Sequence, residues 1–254
     1  MRMTKNWLLV LLAWTLGAIA PAQAQLSKTI PLVKRAVVGV GTQLRTRSPA
    51  IAFFGTGFVI GDGLSVITNA HVVPPLSDPA KKEELGIVLP NGATVAFRPA
   101  RLVALDREHD LAHLRLEGAP LPALQLADAD RAMEGQDLAF TGFPLGMALG
   151  LHPATHRATL AAITPVVTPS LSSRRLDPRA IAQLQRASFD VYQLDGTAYP
   201  GNSGSPVYDP DTGVVQAVIN MVFVKGLKET AITDPSGITY AVPVRHVHAL
   251  LQQK

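Results

Sequence analysis

Residues 53–73 read Phe-Phe-Gly-Thr-Gly-Phe-Val-Ile-Gly-Asp-Gly-Leu-Ser-Val-Ile-Thr-Asn-Ala-His-Val-Val. An apolar run, Phe53–Ile60, meets the turn residues Gly61-Asp62-Gly63, and a second run, Leu64–Asn69, follows at once. β-Branched and aromatic residues favour extended backbone, and glycine tolerates the positive φ of a tight turn. The reading is a β-hairpin that delivers His71 just beyond its returning strand.

The same grammar continues outward. Gly86–Leu89 and Ala93–Phe97 flank Pro90-Asn91-Gly92, where Asn-Gly is a strong hairpin signal. Arg101–Leu105 and Leu111–Leu116 read as two more strands. In the second, Ala112, Leu114 and Leu116 alternate with His113 and Arg115, as a half-buried strand requires. The Pro-containing stretch Glu117–Leu126 links two halves. Strands are then expected at Asp137–Thr141, near His156–Ile163, and at Val191–Leu194, Ser205–Tyr208, Val214–Phe223 and Thr239–Val242. After Pro243, Val244–Gln253 has helical spacing, with Val247, Leu250 and Leu251 on one side. Thr168–Ala187 breaks the pattern. It is polar and Arg-rich, and reads as an insertion whose Arg174, Arg175, Arg179 and Arg186 form a solvated face. Many short strands in two halves with a final helix describe an antiparallel all-β chain.

Composition narrows the class. The 254 residues are 47% apolar and 17% charged, an ordinary globular balance. Met1–Asn6 carries Arg2 and Lys5, Trp7–Ala20 is an apolar run, and Ala22-Gln23-Ala24 places small residues where a signal peptidase reads. Residues 1–24 are therefore expected to be a signal peptide, and the remaining chain an exported protein, periplasmic or secreted. No later segment is long and apolar enough to span a bilayer. Without its leader the chain carries a formal charge of only about +2, too weak to argue for nucleic acid or an anionic membrane. There is no cysteine, which excludes disulfides, zinc–thiolate sites and thiol nucleophiles. The scattered histidines (His109, His113, His152, His156, His246, His248) read as surface, loop or helix residues, and no metal or cofactor is expected.

Three residues suggest chemistry. Ser203 lies in Pro200-Gly201-Asn202-Ser203-Gly204-Ser205-Pro206, where flanking glycines permit a sharp, exposed turn. Such a serine needs backbone N–H groups aimed where an oxyanion forms. The stretch Gly201, Asn202, Ser203 supplies the candidates, with the Gly201 and Ser203 amides foremost. His71 follows a strand, and Asp110, in Glu108-His109-Asp110-Leu111-Ala112, precedes one. Each alone is unremarkable.

Together, in the order His, Asp, Ser, with the first two in one half and the serine in the other, they resemble the trypsin-like serine proteases. The local motifs are most similar to the bacterial HtrA/Deg protease domain: Gly55-Thr56-Gly57-Phe58-Val59-Ile60, Thr68-Asn69-Ala70-His71-Val72-Val73, Asp110-Leu111-Ala112 with Leu114, Gly201–Pro206, and Tyr240-Ala241-Val242-Pro243. The resemblance runs from about Val37 to the C-terminus. Ser205 stands where a second glycine is usual, a form also seen in V8-type glutamyl endopeptidases. The resemblance implies two six-stranded antiparallel β-barrels, at about 35–120 and 125–242, with a helix at 243–254 and the site between the barrels. It implies His71 as base, Asp110 as orienting acid, Ser203 as nucleophile and polypeptides as substrates. The specificity pocket would be lined by Thr197, Ala198 and Tyr199 and by Ile219, Asn220 and Met221. Thr197 stands near the position where trypsin carries an acid, so small or medium apolar residues are expected before the cut. Asn202 replaces the aspartate of digestive proteases, so no zymogen ion pair with a new N-terminus is expected. No PDZ pattern follows the final helix, so peptide-driven activation is not expected either. The alternative is a latent, protein-binding relative on the same fold.

Overall fold

The hairpin is present. In a computed structural model describing residues 25–75, 83–92, 94–128, 132–165, 189–220 and 237–253, β2 (Ile51–Ile60) pairs antiparallel with β3 (Ser65–Thr68), Phe58 opposite Ile67. Gly61 and Gly63 turn between them at φ +60° and +80°. Four further strands complete the sheet: β1 (Val37–Gln43), β4 (Glu84–Asn91), β5 (Thr94–Asp106) and β6 (Leu111–Leu116). Their order β1-β2-β3-β6-β5-β4 closes a barrel, because β1 also pairs with β4.

A second closed barrel follows, in the order β10-β11-β12-β9-β8-β7. Its strands are β7 (Asp137–Gly142), β8 (Ala154–Pro165), β9 (Asp190–Asp195), β10 (Pro206–Tyr208), β11 (Val215–Asn220) and β12 (Ile238–Pro243). The expected all-β architecture of two six-stranded barrels and a final helix is thus the observed one. The signal-peptide segment, the 168–187 insertion and Met221 lie outside the described residues.

Two expectations change. The strands expected at Ala93–Phe97 and Arg101–Leu105 are not separate: Thr94–Phe97 and Arg101–Leu105 both belong to β5, which runs through Pro99. Proline lacks a ladder donor. It is tolerated here because the strand changes partner at that point: Pro99 is the last residue opposite β4, and Ala100 the first opposite β6. The second change is a helix, α1 (Gln25–Ala36), ahead of the first barrel. Leu26, Ile30 and Val33 fall at helical spacing and, with Val37 of β1, join the core, and the Thr29 hydroxyl donates to the Asp211 carbonyl at 3.3 Å. Pro31 inside the helix masked this pattern in the sequence.

Three apolar clusters divide the work. Val38, Val40, Val59, Val66, Ile87 and Leu114 fill the first barrel. Leu138, Phe140, Leu160, Tyr192, Leu194 and Ile219 fill the second. The third cluster lies between them. It joins Phe58 and Leu111 of the first barrel to Tyr208 and Val242 of the second, and to Val244, Val247 and Leu250 of the terminal helix α2 (Val244–Leu251). Burying a side chain of this size stabilises by about 1.5–3 kcal/mol, so the barrels are docked by a core of their own. The linker seals the joint, with Leu124 N–H donating to Val59 O and Ala127 N–H to Val215 O, each at 2.9 Å.

Candidate active site

At the entry to β6 the chain turns through Asp110 at φ +54°, a left-handed conformation that aspartate tolerates better than bulky residues do. The Asp110 carbonyl accepts the Ala70 N–H and the Asn69 side-chain amide, both at 3.0 Å. The Asp110 carboxylate is thereby aimed at His71. Oδ1 accepts the His71 backbone N–H at 2.8 Å and Oδ2 faces Nδ1 at 2.6 Å. A carboxylate oxygen can only accept, so Nδ1 carries the proton and Nε2 is left as the basic nitrogen. A third bond comes from the other barrel, the Asn220 side-chain amide donating to Asp110 Oδ2 at 2.8 Å. Asn220, expected to line a pocket, is wholly buried and spends this amide on the carboxylate.

Ser203 approaches from the second barrel. Its loop is gripped on both sides: Gly204 N–H donates to Ile219 O at 3.0 Å, and Thr56 N–H of β2 donates to Ser203 O at 2.8 Å. A Cβ on Gly55 would sit 3.0 Å from Ser203 O and 2.7 Å from a methyl of Val72, the residue after His71. The glycine therefore lets the serine loop and the histidine turn close on one another.

The loop before Ser203 has a defined peptide orientation. The Pro200 carbonyl accepts the Leu145 N–H at 2.7 Å. In a trans peptide the N–H points opposite to the carbonyl, so the Gly201 N–H faces away from Leu145. Gly201 adopts φ +101°, and a Cβ there would collide with the Phe143 carbonyl. The Gly201 carbonyl accepts the Thr56 hydroxyl at 2.7 Å, and that hydroxyl oxygen accepts the Phe143 N–H at 3.1 Å. Among the described residues, neither the Gly201 nor the Ser203 amide donates to a backbone carbonyl. Asn202 is different. Its N–H donates to Tyr199 O at 2.9 Å, so the candidate oxyanion set narrows to Gly201 and Ser203. Its side chain is wholly buried, with neither amide atom bonded among the described residues, and Ser205 Oγ beside it is likewise unbonded.

The remaining expected pocket residues take several positions. Thr197 is half-buried, Ala198 is buried with its N–H on Thr239 Oγ1 at 3.0 Å, Tyr199 is exposed, and Ile219 lies in the second barrel's core. His156, read as a loop residue, sits in β8 with its ring stacked on Phe140 at 4.9 Å. Burial holds it below the usual histidine pKa. His113 is lowered by burial and then by the Arg115 and Arg101 cations. His109 is not a free surface residue. Its Nδ1 meets Asp106 Oδ2 at 2.7 Å and its ring stacks on His246 at 3.8 Å. Burial pushes the Asp106 carboxyl up, but hydrogen bonds from the His109 backbone and ring outweigh it and the net shift is downward. Among the described residues no group of three or more His, Asp or Glu side chains is placed to hold a metal ion. Sequence reasoning missed Thr56 and Leu145. The glycines around Thr56 were the only local signal for either.

A His–Asp pair from one closed six-stranded barrel and a serine turn from the next are the features of the chymotrypsin-like class of fold. The chain belongs to the trypsin-like peptidase domain family, whose model matches residues 55–218. Among curated relatives it is 28% identical over 194 residues to a probable periplasmic serine endoprotease DegP-like of Halomonas elongata, covering 75% of this chain and 32% of the relative. It is 26% identical over 202 residues to the human serine protease HTRA4, covering 79% of this chain and 35% of that protein. The chain thus spans about a third of the length of these relatives. Among solved structures, the active form of the Rv3671c protease from M. tuberculosis shares the fold, with a TM-score of 0.63 and 24% identity over 91% of this chain and 86% of that one.

Proposed function

We propose that the protein is an exported serine endopeptidase that hydrolyses polypeptides through Ser203, His71 and Asp110. The observation that carries this is the His71–Asp110 contact of 2.6 Å, with the carboxylate fixed by two further donors, beside a serine loop whose Gly201 and Ser203 amides are uncommitted to backbone.

That geometry supports the following chemistry. Ser203 Oγ attacks the scissile carbonyl carbon while His71 Nε2 takes the hydroxyl proton. Asp110 holds the ring in the needed tautomer and stabilises the imidazolium. The carbonyl oxygen becomes an oxyanion facing the Gly201 and Ser203 N–H groups. The C–N bond breaks as His71 returns the proton to the amine, leaving an acyl-serine. Water, deprotonated by His71, then releases the acid and restores the hydroxyl. Thr197 offers no carboxylate to a basic side chain, so small or medium apolar residues precede the cut. The leader-like residues 1–24 and the periplasmic designation of the DegP-like relatives support action outside the cytoplasm, on exported or unfolded polypeptides.

The test is casein cleavage by the chain and by Ser203→Ala, each also treated with a fluorophosphonate. Cleavage and labelling by the parent alone support the reading. Neither event in well-folded protein overturns it and favours a protein-binding relative on the same fold.

A further inference from the structure

The turn 107–110 between β5 and β6 carries the Asp110 carboxylate, and it ends in the left-handed conformation of Asp110 at φ +54°. A residue other than glycine keeps such a conformation only where its surroundings over-determine it. One fastening comes from within the hairpin. Asp106 ends β5 opposite Leu111. Its Oδ1 accepts the Glu108 and His109 N–H groups, both at 3.0 Å, and its Oδ2 faces His109 Nδ1 at 2.7 Å. Arg107 and Glu108 are exposed, so His109 is the side chain beside Asp110 through which the turn reaches inward.

The second fastening comes from the far end of the chain. The His109 ring stacks on His246 of α2, with centroids 3.8 Å apart and 25° between the planes. Phe189, just ahead of β9, meets both rings edge-on, at 4.5 Å from His109 and 5.2 Å from His246. Edge-on contacts of this kind suit the charge distribution of aromatic rings. Three rings from three separate parts of the chain thus close on one another. His246 itself has a fixed base. Val244, Val247 and Leu250 anchor α2 in the core between the barrels. Arg245 beside it donates from Nη2 to Asp190 O at 3.3 Å and from Nε to His246 Nε2 at 3.2 Å.

We infer that His109 and His246 are positioning residues for Asp110, their stacked rings locking the turn that carries the carboxylate to the terminal helix; the inference rests on the endopeptidase reading above. His109 and Asp110 are neighbours in the chain, so the turn cannot swing the carboxylate away without sliding one imidazole off the other. Asn220 holds the carboxylate itself, and the stack holds the backbone that bears it. A displacement of about 1 Å in a catalytic group can cost on the order of a hundred-fold in rate.

The test uses the full chain with His246→Ala, His246→Phe and His109→Asn. His246 is only partly buried and lies off the stripe of Val244, Val247 and Leu250, so its substitution leaves the core intact. Phenylalanine keeps a ring against His109. Asparagine at 109 keeps an amide donor for Asp106 but no ring. His246→Ala and His109→Asn are expected to lower kcat about ten-fold on a single peptide with KM unchanged. Both are expected to shift or broaden the His71 Nδ1 proton resonance. That proton lies in the 2.6 Å contact with Asp110 and so appears far downfield, where it reports the carboxylate's position. His246→Phe is expected to restore both readouts. Parent-like kcat and resonance in His246→Ala and His109→Asn overturn the inference and leave the endopeptidase reading standing. So does a loss of kcat that follows the melting temperature while the resonance stays in place, or a phenylalanine that restores neither readout. A parent that neither cleaves peptide nor takes a fluorophosphonate label removes both readings.

Discussion

Asn220 and Asp110 lie 110 residues apart and in different barrels, yet the Asn220 side-chain amide donates to Asp110 Oδ2 at 2.8 Å. The oxygen it reaches is the one facing His71 Nδ1. Asn220 is a positioning residue: it steadies the carboxylate that steadies the imidazole. Asn220→Ala is expected to lower kcat about ten- to hundred-fold, the worth of a hydrogen bond to a charged group, with KM little changed. Steady-state kinetics on a single peptide check this split. Equal kcat would mean that the His71 amide alone holds Asp110.

Gly201→Ala addresses the oxyanion loop. The alanine must hold φ +101° and its Cβ must displace the Phe143 carbonyl. The loop therefore moves and the Gly201 N–H is lost to the oxyanion, which is expected to cost about 10²–10³ in kcat. Far-UV circular dichroism should stay that of the parent while the fluorophosphonate labelling rate falls.

Asn202→Asp places a carboxylate where the parent has a fully buried neutral amide with no bonded partner among the described residues. Burial without a cation raises the folded pKa above the unfolded value of about 3.9. Between those two values the folded state binds more protons, so stability falls as pH rises. The variant is expected to melt near the parent at pH 4 and well below it at pH 7.5. Thermal melts at both values decide it. Equal melting at both would point to a cation reaching residue 202.

His156 gives an acid-side counterpart. Its folded pKa lies below the ordinary value of 6.5 because of burial. The unfolded chain then binds the extra proton first, and stability is lost as pH falls through about 6.5. His156→Phe preserves the stack on Phe140 and removes the titration. Its melting temperature is expected to fall less than the parent's between pH 7.5 and pH 5. Some slope should persist, since His113 is shifted in the same direction.

The sequence reading succeeded where physics is local. Gly61-Asp62-Gly63 announced its hairpin because a positive-φ turn needs such residues, and α2 announced itself through Val247 and Leu250. Motifs of a few residues each had singled out His71, Asp110 and Ser203 as candidates. The two-barrel closure was legible only by resemblance, since no short pattern says that β1 will pair with both β2 and β4. Contacts across the barrels stayed hidden for the same reason. Nothing around Asn220 says that its amide turns away from a pocket toward Asp110. Nothing around Leu145 says that its N–H will hold Pro200. Helix α1 was hidden by a proline whose cost its buried stripe offsets.

Thr56 spans the seam with both its backbone and its side chain. Its N–H donates to Ser203 O and its hydroxyl to Gly201 O, both across the seam, while its carbonyl accepts the Thr68 hydroxyl at 2.7 Å within its own barrel. The two barrels are therefore not interchangeable cassettes. A hybrid that joins the first barrel of one relative to the second of another inherits a working cleft only if position 56 can still make these bonds.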